Sequence, residues 1–155
     1  MFENMRRKEK QMSDKDTVAV MNKGNYGVLS TVDENGYPYG VPVNYVYEDG
    51  KIYFHCAKEG HKLRNIVKNN KVSFCVVTNS ELLEEAFTTR FTSAISFGTI
   101  SEVINEKERY NVYKLIIERL CGHYITQGMD YVKSDGAKAK VFAIKVEHMS
   151  GKQTK

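Results

Sequence analysis

The stretch HCAKEGHKLRNI, residues 55–66, places His55, Cys56 and His61 within seven positions and threads Lys58, Lys62 and Arg64 among them. Three chemistries use such residues: metal ligation, a thiol nucleophile with an imidazole base, and capture of an anion. Residues 51–57, KIYFHCA, read as a strand, so Ile52, Phe54 and Cys56 share one face while Tyr53, His55 and Ala57 share the other. Cys56 therefore points away from His55, which removes the thiol–imidazole pair. A zinc site needs three or four convergent ligands, and no second Cys/His pair at ligand spacing follows, so no metal is expected. The anion reading survives. A helix starting near Gly60 would bury Leu63, Ile66 and Val67 and carry His61, Lys62, Arg64 and Lys68 near its start and outer face. Cations at a helix N-terminus oppose the helix dipole, and Glu59 offsets only part of that. A bound anion reverses the sign: free N–H groups behind a small residue and a glycine, with Lys58, His61 and Lys62 adding charge, form a phosphate site. The alternative for the same cations is a solvated, exposed helix face.

The elements that must position this stretch are mostly strands. Ser13 and Asp16 resemble a capping box before a short helix over 14–23 that ends at Gly24. YGVLSTV at 26–32, then YPYGVPVNYVYE at 37–48, then KIYFHCA are separated by Asn-Gly and Asp-Gly steps and predict a three-stranded meander. Pro38 and Pro42 lie in its middle strand, which requires an edge, a bulge or interrupted pairing there. KVSFCVV at 71–77 predicts a fourth strand, 78–89 a polar connection with a helical turn, and 90–104 a long strand bent or bulged at Gly98. Asn105 with Glu108 caps the longest helix, whose apolar stripe is Tyr113, Ile116, Ile117 and Leu120; His123 follows as a C-terminal cation, HYITQGMDYVKSDGAK reads as a loop, and AKVFAIKVEHMSG as the last strand. Six strands joined mostly by hairpins give a mainly β (α+β) architecture, an antiparallel barrel with peripheral helices.

At 155 residues and 41% hydrophobic content the chain reads as a single domain over 1–155, with 1–12 a flexible or peripheral segment. No apolar run of about eighteen residues occurs and the charged first ten residues lead into no hydrophobic stretch, so neither membrane nor secretion is expected and the protein is read as cytoplasmic. Three widely spaced cysteines, Cys56, Cys75 and Cys121, predict buried thiols rather than disulfides. The net charge of +4 is mild, and its clusters suit a local anionic ligand better than nucleic acid, for which the strands offer no base-stacking motif.

Taken together, YGVLST, PYGVPVNYVYEDGKIYFHCAKEGHKLRNI, KVSFCVV, RFTSAISFGTISEV and the terminal MSGK resemble, in order over about residues 5–152, the flavin-binding split-barrel family related to pyridoxamine 5′-phosphate oxidase, in its nitroimidazole-reductase-like branch. The resemblance implies a six-stranded split β-barrel that forms a homodimer, with flavin mononucleotide (FMN) in clefts between the subunits. It implies that His55, Ala57, Lys58, His61 and Lys62 hold the phosphate and that Val41, Pro42, Val43 and Asn44 run beside the isoalloxazine. Arg90, Thr92, Ser93 and Ser96 would come from the partner subunit. The family's oxidases proper carry further C-terminal basic residues, whereas this chain ends in GKQTK, and Phe91 stands where relatives often have tyrosine.

The function this implies is an FMN-dependent oxidoreductase passing electrons to a small acceptor such as a nitroaromatic. His61 is the candidate catalytic residue, as cation or proton donor. Two other classes stay open: a non-catalytic flavin store or sensor, and a haem-binding split barrel with an axial ligand from His55, His61, His123 or His148. Tyr26, Tyr39 and Tyr45 are candidates for lining the flavin cleft.

Overall fold

Seven strands and four α-helices follow one another along the chain, and a computed structural model describes them over residues 1–154. Helix α1 (Asp14–Lys23) starts as its capping sequence demands: the Ser13 side chain accepts a hydrogen bond from the Asp16 N–H. Strands β1 (Tyr26–Val32) and β2 (Pro38–Asn44) form an antiparallel hairpin, and so do β3 (Val46–Glu48) and β4 (Lys51–Ala57). Helix α2 (His61–Lys68) leads to β5 (Lys71–Leu83) and β6 (Thr88–Glu102), then α3 (Glu106–Leu120), α4 (Ile125–Asp135) and β7 (Ala139–Gln153).

The sheet order is β2-β1-β5-β6-β7-β4-β3, antiparallel throughout. The expected meander is therefore corrected, and the strand count is seven rather than six. The 37–48 segment pairs with β1 through its first half and with β4 through its second, at opposite edges of the sheet. Tyr45 is the breakpoint. Its ring enters the core and its hydroxyl donates to the Met21 carbonyl at 2.6 Å, which turns the strand from one partner to the other. The two edges are thus joined by a single residue, two Cα steps of about 3.8 Å each, so the sheet has to curl until its edges meet. This is a split barrel, open where β2 and β3 form no ladder with each other. Both prolines sit on edge strand β2, opposite Val32 and Val28 of β1.

Leu29, Ile52, Phe54, Phe74, Val76, Ala94 and Ile144 fill the barrel interior. Val20 and Met21 of α1 cover the end where β1 begins, and Leu63 and Ile66 of α2 the end where β1 finishes. A second cluster packs Val112, Tyr113 and Ile116 of α3 against Val46, Val141 and Ala143 on the outer side of the sheet. At Phe97/Gly98 the β6–β7 register shifts, the bulge that the glycine implied.

Three further expectations are corrected. Residues 78–89 are not a connection but the two arms of a β5–β6 hairpin with a one-turn 3₁₀ segment at its tip. Most of these residues are exposed, so neither face selects apolar side chains and the strand period vanishes from the sequence. The 123–138 segment contains α4, whose Gly128 reads as a breaker but is a close approach: a Cβ there would stand 2.7 Å from the Ile117 side chain. Val67 lies on the outer face of α2, 85% exposed, and Asn65 takes the buried position. The thiols also differ from expectation: Cys121 is exposed and Cys56 and Cys75 are half-buried.

Candidate functional site

The start of α2 lacks what α1 and α3 have. Helix α4 also starts without a side-chain cap or a first-turn acid, but it runs on directly from the 3₁₀ turn Gly122–Tyr124, whereas α2 starts from an open glycine. Ser13 caps α1 and Asn105 caps α3 by accepting N–H hydrogen bonds, and both helices carry acids in their first turn. No side chain caps α2, and its first turn holds no acid. Helix geometry leaves its first N–H groups unpaired. Gly60 precedes them at φ 146, a backbone that disfavours any side chain, and no atom lies within 4 Å of where its Cβ would be. The approach to these N–H groups is open, with Lys58 two residues before Gly60 and His61 and Lys62 opening the helix itself. This donor set, main-chain N–H groups with two ammonium groups and an imidazole, fits a phosphate monoester.

Two contacts fix α2 against the β1–β2 hairpin. Asn65, 3% exposed, donates from Nδ2 to Thr31 Oγ1 at 3.0 Å on β1. At the rim, the His61 ring lies 4.2 Å from the Tyr39 ring, centroid to centroid, and its Nε2 stands 4.0 Å from Asp33 Oδ2. Asp33 is itself fixed, because its Oδ1 accepts the N–H groups of Asn35 (2.9 Å) and Tyr37 (2.8 Å) in the turn. Beside the helix lies a cleft of about 870 Å³ with Leu63, Ile66 and Phe142 in its wall. Lys58, His61, Arg64, Asp33 and the Lys140–Glu102 ion pair (3.1 Å) stand around it.

The structure brings some of the expected residues together and separates others. Lys58 and His61 line the cleft. Half-buried Lys62 lies near Cys56, whose thiol pKa is raised by burial against the lowering effect of Lys62 and Lys140. Exposed Ala57 ends β4. His55 is on the opposite face from Cys56, as alternation requires, with its ring 5.8 Å from that of Tyr113 on α3; desolvation lowers its pKa, which favours neutral imidazole. On β2, Val41 and Val43 turn inward against the core, while Pro42 and Asn44 are exposed and Asn44 Nδ2 donates to the Asn25 carbonyl at 3.0 Å. On β6, Thr92 and Ser96 are buried, Ser93 lies on the other face, and Arg90 pairs with Glu81 at 2.9 Å. Arg90 and Thr92 share a small cleft with Asn79 and Gln153, remote in sequence from the α2 cluster. Tyr45 is in the core and does not line a cleft, whereas Tyr26 is exposed.

Of the three cleft-lining tyrosine candidates Tyr39 is the one that packs against His61, while Asp33, Thr31 and Asn65 join the site without being among the residues expected there. Two signals were present: DENG is an Asx-turn sequence, and Asn65 is a polar residue between Leu63 and Ile66 on the buried stripe. Among the described residues no group of His, Cys, Asp and Glu could hold a metal ion, and no helix is long and apolar enough to cross a membrane.

Comparison with known proteins agrees with this architecture. No curated protein matches the chain. Among solved structures it is similar to a candidate 5-nitroimidazole antibiotic resistance protein of Bacteroides thetaiotaomicron, with 22% identity and a TM-score of 0.76 over 92% of this chain and 85% of that one. An FAD-binding protein of Mesorhizobium loti has 22% identity and a TM-score of 0.71 over 94% and 98% of the two chains. The haem storage protein of Vibrio cholerae has 17% identity and a TM-score of 0.66 over 88% and 92%. At these identities the likeness shows the fold. The family model described as pyridoxamine 5′-phosphate oxidase matches residues 13–153, from the cap of α1 to the end of β7, and the chain belongs to that family.

Proposed function

We propose that this protein binds a flavin nucleotide, with FMN the minimal form, and reduces a small acceptor such as a nitroimidazole or another nitroaromatic. The observation that carries the reading is the uncapped, acid-free N-terminus of α2 behind Gly60, with Lys58, His61 and Lys62 around it. In this reading Lys58, His61 and Lys62 hold the phosphate, with His55 and Ala57 ending the strand that leads to it. Val41, Pro42, Val43 and Asn44 lie along the isoalloxazine, on an edge strand whose second side no β-strand pairs. When bound, the flavin supplies the electron transfer, and the protein's part is binding, orientation and electrostatics. No side-chain nucleophile is needed, and in this reading His61 would give a proton or a positive charge to the acceptor in addition to its phosphate contact.

The working unit is a homodimer. On the outer side of the sheet Pro42, Val28, Cys75 and Ile95 are successive cross-strand neighbours, and Val28, Val77, Ile95 and Phe97 each leave more than a third of their surface exposed. A second copy of the chain is the occupant that would bury this apolar row and bring Ser93, on the same outer face, and the exposed Arg90 of its long strand toward the flavin, whereas Thr92 and Ser96 point into their own barrel and drop out of the partner's contribution.

The test begins with the absorbance spectrum and mass of whatever cofactor accompanies the purified protein. The bound flavin is then reduced anaerobically and a nitroimidazole added. Rapid reoxidation, with amine formed when excess reductant returns the flavin to its reduced state for the three two-electron rounds that each nitro group requires, supports the reductase reading. Flavin that stays reduced leaves a flavin store or sensor, and a Soret band in place of flavin absorbance replaces both with a haem protein.

A further inference from the structure

We infer that Asp33 is a positioning residue for the anion site: it holds His61 where the ring meets the flavin phosphate, and so sets how well the protein tells FMN from riboflavin. This rests on the flavin reading above. The geometry divides the labour of one carboxylate between two oxygens. Oδ1 accepts the Asn35 and Tyr37 N–H groups and builds the turn, while Oδ2 faces His61 Nε2 at 4.0 Å. Tyr39, at the start of β2, packs on the imidazole with a ring-to-ring distance of 4.2 Å. The clamp thus comes entirely from the β1–β2 hairpin, and the clamped ring belongs to the first residue of α2. The Asp33 side chain is only 16% exposed against 42% for His61, so the carboxylate is the fixed member and the imidazole the one being held.

The division also supplies a clean substitution. In Asp33→Asn the amide oxygen still accepts the two turn N–H groups, and only the atom facing His61 changes, from an acceptor oxygen to an amide nitrogen. The direction of the effect separates positioning from simple charge. Loss of a negative group beside a phosphate site would by itself raise FMN affinity, whereas loss of a clamp on His61 lowers it.

The experiment measures dissociation constants of FMN and riboflavin by flavin fluorescence for the wild type, Asp33→Asn, His61→Gln and the double variant, with melting temperatures of the cofactor-free proteins alongside. The wild type should prefer FMN. Asp33→Asn should cut the FMN-to-riboflavin preference about two- to fivefold, in line with the weak coupling of two partly exposed side chains, and should do nothing further once His61 is glutamine. Should Asp33→Asn fail to fold, Asp33→Ser, whose hydroxyl can accept the turn N–H groups, replaces it. A preference that is unchanged or raised in Asp33→Asn, or lowered equally in both backgrounds, overturns the inference and leaves the flavin reading standing. A wild type that binds FMN no better than riboflavin removes the phosphate reading and the inference with it.

Discussion

Helices α1 and α2 sit at opposite ends of one barrel, and their first turns are built in opposite ways. Ser13 accepts the Asp16 N–H and donates to the Asp16 carboxylate at 2.8 Å, and Asp14 and Asp16 face the positive end of the helix dipole. A side-chain cap and first-turn acids, both from the chain itself, serve that terminus. The terminus of α2 has glycine where a cap belongs and cations where acids belong. Yet α2 is held, because Leu63, Ile66 and the buried Asn65–Thr31 hydrogen bond anchor its other face. The difference teaches that α2 takes its stability from the barrel rather than from its cap, which leaves its first turn free to bind something else.

The comparison breaks most sharply at Lys62. Replacing it with alanine should weaken FMN binding by tenfold or more, the scale of a lost charged hydrogen bond of about 1.5–3 kcal/mol, while leaving the melting temperature of the cofactor-free protein in place. Equal FMN affinity in the variant would remove Lys62 from the site. Next in size is Asn65→Ala, which removes the buried donor to Thr31, leaving its hydroxyl only the 3.5 Å bond it donates to the Tyr39 carbonyl, and should cost about 1–3 kcal/mol of stability in chemical denaturation. A neutral result there would mean that α2 is not anchored through β1.

Ser13→Ala should do the reverse of Lys62→Ala. It should lower stability by about 1 kcal/mol, a shift of roughly 2–4 °C for a chain of this size, with flavin affinity untouched. If it changed affinity instead, the two helix termini would not be independent. The smallest effect is expected at His55. Its folded pKa lies below the unfolded value, so neutral imidazole is favoured in the fold and protonation opposes folding. Above the unfolded pKa this costs nothing, and stability should be lost as pH falls through that value toward the folded one. Thermal melts of wild type and His55→Gln between pH 7.5 and 5.5 should therefore converge or cross, since only the wild type carries the penalty.

Much of this site was legible because it is local. The α1 and α3 caps, the Gly98 bulge, the opposed faces of His55 and Cys56, and the charge cluster around Gly60 all depend on residues within a few positions of one another. What stayed hidden depends on distant partners. Hairpin rules describe the turns at 33–36 and 49–50 correctly but cannot say that Tyr45 would turn its strand toward a new neighbour, since its hydroxyl bonds a carbonyl 24 positions away. The β5–β6 arms lost their period because both faces are exposed, and α4 was obscured by a glycine that serves Ile117 on another helix.

Local sequence alone sets where the chain turns at 33–36 and 49–50, that the starts of α1 and α3 are capped, and that the start of α2 carries surplus positive charge instead of a cap. Those follow from backbone chemistry and spacing. Long-range packing alone brings the two sheet edges together at Tyr45, buries Asn65 rather than Val67, and sets Asp33 and Tyr39 against His61. Each of these is a contact between segments whose approach is set by closing the barrel, and no local preference encodes that distance.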